Sequence, residues 1–104
     1  SKVDNMGSMF KNASSFNQDI SSWDTSKVTK MLDLFRAATS FNQNISNWDT
    51  SSATSMSKMF ENATSFNQNI SSWCVSNITV EPENFSLNSP LLDSYKPLWG
   101  SCPE

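Results

Sequence analysis

The sequence predicts an α/β solenoid: three stacked 25-residue coils, each a short helix plus a short parallel strand, followed by an irregular C-terminal cap. Three observations predict it. Apolar residues recur at a 25-residue step that no insertion interrupts. Within each period, a stretch of helical apolar spacing precedes a brief polar stretch centred on an Ile. After residue 73 the period fails and prolines accumulate.

The step is carried by many columns at once. Trp23, Trp48 and Trp73 keep it, as do Phe10, Phe35 and Phe60; Phe16, Phe41 and Phe66; Met6, Met31 and Met56; and Ile20, Ile45 and Ile70. The small residues Ala13, Ala38 and Ala63 follow, with Val3, Val28, Ala53 and Ile78 and the pairs Asn17-Gln18, Asn42-Gln43 and Asn67-Gln68. One such repeat cannot bury its apolar side alone, so coils of about 1–23, 24–48 and 49–73 are expected to stack, equivalent residue on equivalent residue. A period of 25 lies in the range of leucine-rich-repeat-type solenoids.

In the second repeat, Val28, Met31, Leu34, Phe35 and Ala38 fall on one face of a helix over about 26–38. Asp24, Thr25 and Ser26 precede it as N-cap oxygens. The matching helices are 3–13 and 51–63. The strand is placed at 42–48. Ile45 and Trp48 lie three apart, so strict alternation cannot turn both inward; either the strand ends before the Trp or a bulge intervenes.

After Cys74, Ser76-Asn77-Ile78-Thr79 resembles the start of another helix segment, but Pro82 stops it and Pro90, Pro97 and Pro103 follow, and Phe85, Leu87, Leu91, Leu92, Leu98 and Trp99 are expected to cover the last coil. Cys74 and Cys102 bracket this 74–104 cap. Their spacing suits neither a redox CxxC pair nor zinc, and a disulfide closing the cap is expected. The N-terminus begins inside a repeat, which reads as a piece cut from a longer array. An uncovered first coil (Val3, Met6, Phe10) would then be open to self-association.

Composition narrows function. Ser (21) and Asn (12) make up about a third of the chain, a disorder signal countered by four Trp and seven Phe. With no His there is no Ser-His-Asp or Cys-His nucleophile pair and no imidazole metal site. A net charge of −3 offers no footprint for nucleic acid. No apolar run approaches the roughly 20 residues of a membrane span, and no signal peptide is visible. Two glycines leave no phosphate-cradling loop, and no cofactor or metal is expected.

The motif F-N-Q-x-I-S-x-W-D-T-S-x-V-T-x-M-x-x-[ML]-F-x-x-A over residues 2–80 resembles the BspA-like surface-protein repeat found in mycoplasma lipoproteins and marine bacterial surface proteins. The tail resembles the segment that follows such arrays, in Trp73-Cys74-Val75, Glu81-Pro82, Asn84-Phe85 and Lys96-Pro97 through Pro103. The resemblance implies a leucine-rich-repeat-like fold and a secreted or surface-anchored bacterial protein, often adhesive. It brings no catalytic residues. Ala53 stands where the pattern has Val, and Leu34 where the other copies have Met.

The candidate binding face is three small polar columns beside the strand: Asp19, Asn44 and Asn69; Ser21, Ser46 and Ser71; Ser22, Asn47 and Ser72. The bland alternative is that they only confer solubility. The Asn17, Asn42 and Asn67 column reads as a structural ladder. The Trp column reads as a buried stack rather than an exposed sugar-binding row, and the Met columns as core rather than thioether ligands. Asp24 and Asp49 read as helix caps rather than calcium ligands, since Cys74 takes their place in the third copy. Six Asn-x-Ser/Thr sequons (Asn12, Asn44, Asn62, Asn69, Asn77, Asn84) arise largely from the repetition itself.

The expected function is a non-catalytic module, extracellular or at the cell surface, for adhesion or protein/glycan interaction. Ice or ordered-surface binding through Ser26/Ser51/Ser76 and Thr29/Thr54/Thr79 is the alternative, with a purely structural spacer beside it.

Overall fold

The computed structural model describes residues 4–103. The chain winds in successive turns of 25 residues, and each turn stacks on the one before. The expected helices and strands do not form. Among the described residues the regular elements are a 3-10 helix at Asp93–Tyr95 and two isolated parallel bridges, Asn5 with Lys30 and Lys30 with Ser55. The leucine-rich-repeat-like α/β architecture is therefore wrong for this chain. Val3, counted in the first repeat and its open face, lies outside the described residues.

The reason lies in where the N–H groups go. In a helix each N–H would reach the carbonyl four residues back. In the second coil, the N–H groups of Met31, Asp33, Phe35 and Ala37 instead donate to Ser55, Ser57, Met59 and Glu61 of the third coil, at 2.8–3.0 Å. The alternate groups of Leu34, Arg36 and Ala38 donate to carbonyls three residues back, at 3.0–3.3 Å. The first coil repeats this from Met6, Ser8, Phe10 and Asn12. The product is a ribbon of tight turns with left-handed residues four apart: Ser8 and Asn12, Asp33 and Ala37, Lys58 and Asn62. Asn and Asp tolerate that conformation better than Ala or Lys. Ala37 and Lys58 are held in it by the bonds between coils.

The helical spacing still marked the core. Val28, Met31, Leu34, Phe35 and Ala38 are all fully buried. Two columns of phenylalanine run up the stack. Phe10, Phe35 and Phe60 follow at 5.6 and 5.5 Å between ring centroids, and Phe16, Phe41 and Phe66 at 5.7 and 5.8 Å, all nearly parallel. Within a coil the two columns touch, as Phe35 and Phe41 do at 4.1 Å. Trp48 and Trp73 stack at 6.4 Å, and each buried indole N–H donates to a carbonyl of the preceding coil, Ile20 and Ile45, at 3.0 Å. Trp23 differs from the buried stack expected of it: it is 41 % exposed, because no coil covers it among the described residues.

The strand expected at 42–48 is an irregular stretch that ends in one tight turn. The Trp48 N–H donates to the Ile45 carbonyl at 3.1 Å, bending the chain at Ser46 and Asn47 so that both Ile45 and Trp48 face inward. Buried Thr25 and Thr50 tie this corner to the next coil through hydroxyl bonds to the carbonyls of Asp49 and Cys74.

The segment after residue 73 is less irregular than its sequence. The N–H groups of Lys58, Phe60 and Asn62 donate to Glu83, Phe85 and Leu87, so the winding continues as a fourth, imperfect turn with left-handed Asn84 and Asn88. The chain then returns: Val75 donates to Ser101, Gly100 donates to Val75, and Cys74 and Cys102 form a disulfide. Gly100 sits at φ +80°, facing Thr79. Of the apolar residues expected to cover the last coil, Phe85 and Leu91 are buried and Trp99 packs edge-on against Phe85. The last coil's Phe60, Phe66 and Trp73 are buried, so its end is covered as expected, but Leu87, Leu92 and Leu98 are exposed and take no part in that cover.

Place in the stack sets the effect of a substitution. Trp48→Ala is expected to destabilise by about 3–5 kcal/mol, the range for a buried large aromatic, whereas Trp23→Ala loses well under half of that. Urea unfolding of the two variants measures the difference. Removing the disulfide by Cys74→Ser with Cys102→Ser is expected to lower stability by roughly 3–4 kcal/mol, from the loop it closes. Equal urea midpoints before and after would contradict that.

Candidate binding face

The three polar columns lie on the outside of the stack, beside the Ile-to-Trp corner. Asp19, Asn44 and Asn69 are exposed, Ser21, Ser46 and Ser71 half-buried, and Ser22, Asn47 and Ser72 exposed. The first two columns are joined within each coil. The Asp19 carboxylate accepts the Ser21 N–H at 2.9 Å and its hydroxyl at 2.7 Å. Asn69 accepts the same two groups from Ser71, and Asn44 accepts the Ser46 N–H at 2.9 Å. An Asn or Asp side chain closing a turn on the backbone two residues ahead is an Asx turn. The columns therefore shape the surface as well as line it.

Asp24 and Asp49 do the same one corner later, accepting the N–H and hydroxyl of Ser26 and Ser51 at 3.0 and 2.6 Å. They cap turns, and no helix follows them. Hydrogen bonding lowers the pKa of three carboxyls, the serine hydroxyl first and the backbone N–H second: Ser21 acts on Asp19, Ser26 on Asp24 and Ser51 on Asp49. Among the described residues no three His, Cys, Asp or Glu side chains gather as metal ligands.

The Asn17, Asn42 and Asn67 column runs next to this face and links the coils. Asn17 Oδ1 accepts the Asn42 N–H at 2.9 Å, Asn42 Oδ1 the Asn67 N–H at 2.9 Å, and Asn67 Oδ1 the Leu92 N–H at 3.2 Å. Gln43 and Gln68 add Nε2 donation to the carbonyl and Oδ1 of the Asn one coil earlier. The buried Thr25 and Thr50 join one coil to the next, a role beyond the capping expected of Thr25. Their fixed place between the capping Asp and the Ser was the available signal.

Between neighbouring coils the columns leave two equivalent shallow grooves. One, about 320 Å³, is lined by Asp19, Ser21, Gln43, Asn44, Ser46 and Asn47. The other, about 260 Å³, is lined by Asn44, Ser46, Gln68, Asn69, Ser71 and Ser72. The Nδ2 groups of Asn44 and Asn69 and the Oε1 atoms of Gln43 and Gln68 make no hydrogen bond among the described residues. Each groove so offers an amide donor and an amide acceptor, without an apolar anchor.

The family described as "Mycoplasma protein of unknown function, DUF285" matches residues 1–94. The chain belongs to the DUF285 family. The match reaches past the three clear repeats into the fourth turn, in keeping with the continued winding there. As a DUF285 chain it belongs to a mycoplasma-type surface repeat family. No curated protein and no solved structure matches it. No helix of the described residues is long and apolar enough to cross a membrane.

The lowered carboxyl pKa values fix a sign. A carboxyl held below its unfolded value stabilises the fold above that value and loses the contribution as pH falls through the folded one. Stability is expected to be flat at neutral pH and to fall below about pH 4. Asp24→Asn with Asp49→Asn keeps the turns, as Asn44 and Asn69 already do in the chain, and should flatten the acid limb of a urea-midpoint profile.

Proposed function

We propose that the chain is a non-catalytic, extracellular or surface-exposed repeat module that binds a protein or glycan through the face of Asp19, Ser21, Ser22 and their copies. The observation that carries this reading is the pair of equivalent grooves one coil apart, with unused amide donors and acceptors at matching places. A ligand with its own repeat could engage both grooves at once, and weak contacts summed along a stack give avidity without any strong single site. The disulfide supports an oxidising location, outside the cytosol.

The ordered-surface alternative draws no support from its proposed columns. The hydroxyls of Thr29 and Thr54 donate to the carbonyls of Asp4 and Thr29, and those of Ser26 and Ser51 to their capping Asp. Their hydrogens are turned into the fold.

The test is a panel of glycans and matrix proteins probed with the immobilised chain. Ser22→Lys with Asn47→Lys alters exposed turn positions whose side chains make no hydrogen bond among the described residues, so the fold is expected to persist while binding drops at least tenfold. Absence of any ligand in the panel, or a ligand indifferent to both substitutions, would remove the reading.

A further inference from the structure

The parallel bridges of the stack stop one position short. In each bridge the later residue donates its N–H to the carbonyl before its partner and accepts, at its own carbonyl, from the N–H after it. Lys30 pairs in this way with Asp4 at 3.4 Å and Met6 at 2.9 Å, and Ser55 with Thr29 at 3.3 Å and Met31 at 2.9 Å. By the period the next bridge would join Val80 to Ser55. It is missing. The Thr54 carbonyl, the Met56 N–H and both backbone groups of Val80 make no backbone hydrogen bond among the described residues.

The cause is one extra residue. From Met31 to Ser55 and Asp33 to Ser57 the donor-to-acceptor step is 24 residues; from Lys58 to Glu83 and Phe60 to Phe85 it is 25. The left-handed positions shift alike, from Lys58 to Asn84 and from Asn62 to Asn88. The surplus is thrown outward before Pro82, leaving Val80 72 % exposed. Beside it, the Ser55 hydroxyl is buried without a partner. A cleft of about 310 Å³ opens there, with Thr54, Ser55, Met56, Ile78, Val80 and Pro82 in its walls.

We infer that this cleft is a strand-addition site for an extended segment of a partner polypeptide. One residue of the segment takes the place Val80 leaves empty, its N–H on the Thr54 carbonyl and its carbonyl on the Met56 N–H, running parallel to residues 54–56. Met56 is buried but lines the cleft, and the segment enters there beside the exposed, unbonded Val80. Unpaired backbone at a sheet-like edge is the element that strand addition uses. An N-acetylated sugar has its N–H and carbonyl on one trans amide, aimed to opposite sides, and cannot meet the Thr54 carbonyl and the Met56 N–H together as the two groups flanking one Cα do, so the occupant is polypeptide. Ile78, Val80 and Pro82 favour an apolar side chain on it. The polar grooves play no part in this site.

The probe is a blocked peptide of residues 26–33, Ser-Lys-Val-Thr-Lys-Met-Leu-Asp, which contains a stretch that already makes this bridge. Titrated into the full chain, it is expected to give saturable amide shifts at Ser55 and Met56 and at least tenfold slower hydrogen exchange at Met56. Deleting Val80 returns the step to 24 residues and lets the chain fill its own site, so binding should be lost while the near-ultraviolet aromatic signal persists. A scrambled peptide controls for composition. Absence of shifts at Met56 with millimolar probe, shifts confined to the polar face, or undiminished binding in a folded deletion variant would each overturn the assignment.

Discussion

Every second N–H of one coil's turn ribbon meets a carbonyl of the next coil, and this repeated contact sets the register on which the rest depends. Its individual bonds are modest, about 1 kcal/mol net each. Their effect is positional. Because they hold coil to coil at a constant step, identical residues come to lie over one another, so phenylalanine stacks on phenylalanine and the Asn17 column passes a hydrogen bond from coil to coil. The buried indoles of Trp48 and Trp73 and the hydroxyls of Thr25 and Thr50 then find carbonyls at fixed places. Parallel aromatic pairs of this kind add about 0.5–1.5 kcal/mol beyond the area they bury.

The same contact explains what the sequence could and could not convey. Columns such as Phe35 and Ile45 report burial, and the period reports stacking; both were legible because apolar identity and spacing encode them directly. The type of element was not. An apolar pattern at i, i+3, i+4 and i+7 is satisfied equally by a helix and by a ribbon of tight turns whose even and odd residues divide their N–H groups between neighbours. The distinguishing residues, at positions 8, 12, 33, 37, 58 and 62, include Lys and Ala, which carry no left-handed signature. The corner that lets Ile45 and Trp48 both face inward was hidden for the same reason, since a Ser-Asn pair allows but does not require a turn.

The candidate face was more legible than the fold, because small polar residues repeated at one place in every period have no room in an aromatic core. Their second role was not visible: Asp19, Asn44 and Asn69 also close the turns they sit on. The face is thus built from groups already partly committed, and the unengaged amides of Asn44, Asn69, Gln43 and Gln68 are what remains for a ligand. In the fourth turn the winding persists although the apolar columns have faded, and the family match extends over the same stretch, to residue 94.

The uniform step also shapes how such a chain must assemble. Almost no tertiary bond joins near neighbours apart from the tight turns; the rest connect residues about one coil apart. Each added coil therefore closes a loop of similar length, at about 3 kcal/mol of chain entropy by the logarithmic estimate, before its own bonds can compensate. The first pairing of two coils carries that loss with no template beneath it, whereas later coils land on a finished edge. Folding of this architecture resembles the growth of a small one-dimensional crystal, with a slow nucleus and quick extension from it.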